Sequence, residues 1–212
     1  MDLVSILIYV LILLFSVILH EVAHGVAADK LGDPTARYAG RLTLNPIPHI
    51  DLYGSILLPA FLLLVHSPIL FGAAKPVPVN YRNLRNFKWD MIWVALAGPA
   101  TNFALAILAA VVYRFWPGLS DLGQTLLLEM LVLNLVLGIF NLIPIPPLDG
   151  SKVLASLLGF VDRQAMYWLL DLERFGFILI FLFLFTGLFN TVLVPAVSFC
   201  AQLLLGHPVS LF

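Results

Sequence analysis

Apolar residues run along this chain in long unbroken blocks, not in the one-sided stripes of a water-soluble helix. The blocks 3–28, 91–115, 125–143 and 175–194 each come close to or exceed the ~20 residues that a helix needs to cross ~30 Å of hydrocarbon. They predict four spans. Trp89, Trp93, Tyr113 and Trp116 flank the second block, where an aromatic belt would meet the two membrane interfaces. The block 54–72 is also long enough to span, but Pro59, His66, Ser67 and Pro68 interrupt it. Broken backbone at membrane depth is tolerated where protein or a cavity surrounds it, so a re-entrant loop is expected there. The stretch after Pro195 reads as a short interfacial helix or part of a further span.

Two polar connectors break the pattern. In 36–45 the sequence Arg41-Leu42-Thr43-Leu44 alternates before Asn45-Pro46 stops it, which predicts a small β-element beside the membrane. Its edge at 39–43 would accept an extended peptide by strand addition. The connector 75–88 is basic and punctuated by prolines, as expected of a loop lying against head groups. The expected fold is an all-α polytopic membrane protein, a single integral-membrane domain over 1–212. It has a three-span catalytic core, a peripheral C-terminal span at 175–194, a re-entrant loop and a small membrane-associated β-element.

Composition sharpens this reading. Hydrophobic residues make up 61% of the 212 and charged residues 11%, against about 25% charged in a soluble domain. The net charge of −1 gives no reason to expect nucleic acid as a partner. A lone Cys200 excludes an internal disulfide and a thiolate metal cage, and in its apolar run it reads as a core filler. Asp2 is the only charge before His20. A cleaved signal peptide would need a basic start, so the first block reads as a retained span. If that span runs from outside to inside and 54–72 does not cross, ten of the 11 basic residues fall inside, leaving Arg114 near the outer face. The positive-inside rule favours that arrangement, in a multi-pass cell-membrane protein.

Candidate chemistry stands at the inner end of the first block, as His20-Glu21-Val22-Ala23-His24. Spacing i, i+4 on a helix puts both imidazoles on one face. There they can share one Zn²⁺, with Glu21 placed to take a proton from water at the metal. Ionisable residues this close to hydrocarbon are costly without a partner. A catalytic zinc needs a third protein ligand and an open position. Asp149 follows Pro144-Ile145-Pro146-Pro147-Leu148, where prolines unwind the end of the third block. It could instead cap the helix that follows. Beside the histidine pair on one membrane face it reads as the third ligand. Glu129 lies about three turns before that break and reads as a polar contact within its span. His49, His66 and His207 have no companion at ligand spacing and read as interfacial or loop histidines.

HEVAH ending a first span, Gly98-Pro99-Ala100-Thr101-Asn102 near the start of a middle one, and Asn141 leading to Pro144-Ile145-Pro146-Pro147-Leu148-Asp149-Gly150 occur in that order. Together they resemble the site-2 protease family of intramembrane zinc metalloproteases, in a short bacterial-type form without PDZ or CBS domains. The resemblance implies one Zn²⁺ per chain held by His20, His24 and Asp149, Glu21 as general base, and hydrolysis near the cytosolic face. Transmembrane protein substrates within the lipid bilayer would be the partners. Asn102 and Asn141 would lie near the site, holding substrate backbone or the oxyanion, or else bonding helix to helix. The rival reading is a non-proteolytic membrane metal-binding protein or transporter, in which Glu21 would have no clear task.

Overall fold

The computed structural model describes residues 3–51, 57, 64, 75–116, 118–187 and 189–207. Among them stand eight α-helices: α1 (Leu3–Lys30), α2 (Thr35–Tyr38), α3 (Phe87–Phe115), α4 (Asp121–Asn141), α5 (Asp149–Val161), α6 (Arg163–Asp171), α7 (Gly176–Phe185) and α8 (Val194–Leu205). Short 3-10 turns at Ile47–His49, Tyr81–Asn83 and Leu172–Phe175, and a π turn at Phe189–Leu193, link some of them. The all-α class read from the apolar blocks holds.

Three helices are long and apolar enough to cross a membrane: α1, α3 and α4, with mean hydropathies of 2.5, 1.9 and 1.8. α3 lies at the centre, packed against α1, α4, α5 and α8. Its 29 residues extend ~43 Å at 1.5 Å each. Pro99 sits inside it; the ring removes one backbone bond, which neighbouring helices make tolerable within a bundle. α4 begins where the Ser120 side chain accepts a bond from the Gly123 N–H at 3.2 Å, a hydroxyl cap on the first turn. It stops as Leu142 and Ile143 turn back their N–H groups onto the carbonyls of 138–140.

Two expectations change. The β-element at 36–45 does not form, and no strand occurs among the described residues. Pro34 leads into the helical turn α2, the Tyr38 N–H bonds to the Pro34 carbonyl, and the Arg41 N–H returns to Ala36 at 3.0 Å. With these groups satisfied locally, the alternating Arg41–Leu44 stretch has no ladder to join, and the edge expected at 39–43 is absent. The segment 75–80 is instead tethered by side chains. Arg41 Nη2 donates to the Lys75 carbonyl at 2.7 Å and the Pro76 carbonyl at 3.3 Å. Asp33, fully buried, accepts from the Asn80 N–H at 2.6 Å and Asn83 Nδ2 at 2.8 Å.

The run 175–194 does not form one spanning helix. α7 ends at Phe185, the Thr186 hydroxyl donates to the Phe183 carbonyl, and Gly187 takes φ +75°, a conformation that glycine adopts without strain. A helix of 10 residues extends ~15 Å, half the hydrocarbon thickness. The chain resumes at Phe189 and continues through α8. The re-entrant loop expected at 54–72 lies outside the described residues apart from Leu57 and Leu64.

Candidate metal centre

His20 and His24 leave one face of α1, one turn apart, and turn inward against the first half of α3. Asp149, the first residue of α5, reaches the same point from a different part of the chain. His20 Nε2 lies 3.1 Å and His24 Nε2 3.2 Å from Asp149 Oδ2, and the two Nε2 atoms are 3.0 Å apart. These three atoms form a nearly equilateral triangle, and all three residues are buried.

Each imidazole is braced from behind. His24 Nδ1 faces the Val94 carbonyl at 2.7 Å and His20 Nδ1 faces Asn102 Oδ1 at 2.5 Å. Both partners are oxygens, so both Nδ1 atoms carry the proton and both Nε2 atoms present lone pairs. Two lone pairs and a carboxylate oxygen thus converge with no donor among them. That leaves the triangle electrostatically incomplete without a cation. Lys152 Nζ lies 3.6 Å from the other Asp149 oxygen, Oδ1, and keeps that oxygen from turning into the triangle.

The bundle also makes room. A Cβ on Gly98 would fall 2.5 Å from His20 Nε2 and overlap His24 Nε2 as well. Only a residue without a side chain allows α3 to lie this close to both imidazoles. Glu21 is not part of the triangle; its Oε2 accepts a bond from the Val77 N–H at 2.7 Å. The segment 75–80 therefore touches the carboxylate that the motif marks as base.

The other sequence candidates divide. Asn102 is fully buried and fully engaged, its Oδ1 on His20 and its Nδ2 donating to Asn134 Oδ1 at 2.9 Å. Asn141, the last residue of α4, donates to the Leu137 carbonyl one turn back at 3.0 Å. These observed contacts are interhelical for Asn102 and intrahelical for Asn141. Asn134 and Ser16 were not among the sequence candidates, although both are buried behind the site. Ser16 precedes His20 by one turn on the same face, and Asn134 is a lone amide in Leu131-Val132-Leu133-Asn134-Leu135-Val136. Those were the available signals.

The sequence matches the description "Peptidase family M50" over residues 8–126 and 119–182. It is 36% identical over 201 residues to YwhC of Bacillus subtilis, covering 89% of this chain and 85% of that protein. The chain belongs to peptidase family M50. Rip2 of Mycolicibacterium smegmatis is 30% identical over 186 residues, 84% of this chain and 66% of that protein. MJ0392 of Methanocaldococcus jannaschii is 30% identical over 149 residues, 70% of this chain and 34% of that protein. All three carry zinc-metalloprotease names. No solved structure matches the chain. As an M50 peptidase the chain is a metalloprotease with Zn²⁺ as its metal.

The residues present fit that ion. Two imidazole nitrogens and one carboxylate oxygen are a donor set typical of catalytic zinc. Ligand atoms held tetrahedrally at ~2.0–2.1 Å lie about 3.3–3.4 Å apart, close to the triangle edges of 3.0, 3.1 and 3.2 Å. Three protein donors also leave a fourth position open.

Proposed function

We propose that this M50 peptidase is an intramembrane protease of the site-2 type, cleaving peptide bonds within transmembrane segments of membrane-anchored proteins. The observation that carries this reading is the convergence of His20 and His24, buried on a helix long and apolar enough to span, with Asp149, buried at the start of α5. His20 lies about ten residues, or ~15 Å, before the end of α1. That puts the donors inside the bundle, where a soluble substrate would not reach them. The basic residues Lys30, Arg37, Arg41, Lys75, Arg82, Arg85 and Lys88 run from the end of α1 to the first turn of α3, which supports a site near the cytosolic face of a multi-pass cell-membrane protein.

His20, His24 and Asp149 would hold the ion. Zn²⁺ held there supplies Lewis acidity to the scissile carbonyl and lowers the pKa of water to ~7. Glu21, next to a ligand on the same helix, takes the proton from the attacking water and passes it to the leaving amine. The Val77 N–H orients its carboxylate. Asn102 holds the His20 imidazole in place through its Oδ1. A substrate helix must unwind locally, since its carbonyls are tied in i→i−4 bonds.

The test is purified protein in detergent with a single-span substrate. Cleavage should stop on adding a chelator. Glu21→Gln should keep stoichiometric zinc and lose cleavage. Cleavage by Glu21→Gln at the wild-type rate would overturn the reading.

A further inference from the structure

The bond between His20 and Asn102 has a direction, and Asn102 alone does not set it. An asparagine side chain can present its oxygen or its nitrogen to a neighbour, and the two orientations fill the same volume. With Oδ1 toward His20, the imidazole keeps its proton on Nδ1 and offers Nε2 to the metal. With Nδ2 toward His20, the proton moves to Nε2 and the ligand is lost.

The next link decides between them. Asn102 Nδ2 lies 2.9 Å from Asn134 Oδ1. Asn134 Nδ2 in turn lies 2.9 Å from the Met130 carbonyl and 2.9 Å from Ser16 Oγ. The Met130 carbonyl can only accept, so the Asn134 atom facing it must be the donor, Nδ2. Its Oδ1 therefore faces Asn102, where only Nδ2 can meet it, and Asn102 Oδ1 is left for His20. One backbone carbonyl of α4 thus fixes a polarity that runs through two amides to the metal ligand. Asn102 and Asn134 are both fully buried and Ser16 nearly so. No bulk solvent competes for these bonds, and a reversed amide would set like atoms against each other.

We infer that Asn134 is a positioning residue for metal binding, which acts through Asn102 to hold His20 in the tautomer that presents Nε2. The inference rests on the proposed zinc-binding role of His20.

Asn134→Leu keeps the same branched skeleton without a donor or acceptor and releases the Asn102 amide to turn. Asn134→Asp, taken up as the neutral acid, can donate to Met130 and accept from Asn102, and so restores the polarity. The first measurement uses metal-free protein labelled with ¹⁵N-histidine, the His20 signals being assigned by difference against His20→Gln. Wild type and Asn134→Asp should show His20 protonated on Nδ1, and Asn134→Leu should show the Nε2–H form. The second is zinc affinity by chelator competition, which should fall ~10–100-fold in Asn134→Leu, as for other residues that brace a metal-ligating histidine, and recover in Asn134→Asp. If Asn134→Leu does not fold, Asn134→Ser, which can donate or accept, takes its place against Asn134→Asp. Unchanged His20 protonation and affinity in the Leu or Ser variant would overturn the inference. So would an Asn134→Asp variant no better than Asn134→Leu, since shape alone would then explain the loss. The tautomer is read without metal, so a wild type that bound no zinc would count against the proposed function and not against the role of Asn134.

Discussion

The two halves of α3 are equally helical and do opposite work. The half 87–102 packs Met91 and Val94 against Ala28, Ala155 and Met166, and adds to that apolar seam a set of polar contacts. The Val94 carbonyl braces His24, Gly98 admits both imidazoles, Asn102 bonds to His20, and the Lys88 carbonyl accepts from the Ser156 hydroxyl at 2.5 Å. The half 103–115 meets its neighbours mainly through small apolar side chains, with one polar contact near its end, Arg114 Nη1 donating to the Leu204 carbonyl at 3.0 Å. Ala106, Ala109 and Ala110 pack into a cluster with Leu131, Leu135, Leu193, Val197, Ala201 and Leu205. In a membrane the surrounding lipid is as apolar as leucine, so neither half gains from simple hydrophobic burial. Close approach of small residues and interhelical hydrogen bonds are the available attractions, the latter worth only ~0.6 kcal/mol each on average. The apolar half can therefore be read as adhesion alone, whereas the polar half also places atoms for chemistry.

The sharpest way to break this contrast is to add one methyl group to the polar half. Gly98→Ala improves intrinsic helix propensity, yet its Cβ would fall 2.5 Å from His20 Nε2. The imidazoles must move by an ångström or so, and a displacement of that order can cost about 100-fold in rate. We expect Gly98→Ala to insert and fold, lose bound zinc, and cleave at least ~100-fold more slowly. Zinc content and cleavage rate close to wild type would show that the site tolerates looser placement than described.

The matching change in the apolar half is Ala109→Leu. Ala109 is 1% exposed and faces α4 and α8, so the larger side chain overpacks the seam, an error that typically costs ~1–3 kcal/mol. Thermal unfolding in detergent should show that loss. Zinc affinity of the folded fraction should stay within about twofold. A large fall in affinity would mean that the two halves are mechanically coupled.

This division explains what the sequence disclosed. Charged and imidazole groups stand out in apolar blocks, so His20, Glu21, His24 and Asp149 could be picked out, and the prolines at 144, 146 and 147 marked where a helix gives way. The three long spans followed from block length. The brace behind the site was harder to see. One of its parts is a backbone carbonyl, that of Val94, which no side chain announces, and another is Asn134, one neutral amide among leucines and valines. The contact between the Val77 N–H and Glu21 joins residues 56 positions apart through a loop. The break near Gly187 went unread because a lone glycine in an apolar run fits a helix as well as a turn; its φ of +75° is a property of the fold. The β-element failed for a related reason. Alternation in 41–44 is competent for pairing, but a strand needs a partner, and the helical turn α2 satisfies that backbone first.

The loop beside the polar half holds a buried carboxylate, Asp33, with no counterpart among the described residues around the apolar half. Burial acts to raise the pKa of Asp33, but bonds from the Thr35 hydroxyl, Asn83 Nδ2 and the backbone N–H groups of Asn80 and Thr35 outweigh it, leaving the carboxyl below its ordinary 3.8. A depressed pKa contributes stability that is fully present above the unfolded value and is lost as pH falls through the folded one. Acidification below about pH 4 should therefore release the tether between 33–35 and 80–83, while the seam around Ala109 stays closed. Protection of the Asn80 and Thr35 amides, read as hydrogen exchange relative to the intrinsic rate at each pH, should fall in that window ahead of amides in the second half of α3. Asp33→Asn should show low protection at neutral pH and little further change on acidification. A wild type with pH-independent protection at Asn80 would remove Asp33 as the latch.

The smallest effect tests how sharp the border between the halves is. Gly138 lies one turn after Asn134 on α4, and a Cβ there would sit 3.2–3.3 Å from the Phe103 ring. Phe103 directly follows Asn102, so the contact falls at the join. The Phe103 ring is only partly buried, so it can give by a few tenths of an ångström. The strain is partly offset by the ~0.5–1 kcal/mol by which alanine exceeds glycine within a helix. Gly138→Ala should therefore change stability by no more than about 0.5 kcal/mol in either direction. It should also leave the His20 protonation pattern as in wild type, because the Asn102 amide is held from Asn134 and not from the ring beside it. Denaturation and ¹⁵N-histidine spectra of the one variant check both statements. Unchanged stability with an altered His20 signal would show that the polar half extends past Asn102 into the aromatic contact, moving the border one residue along α3.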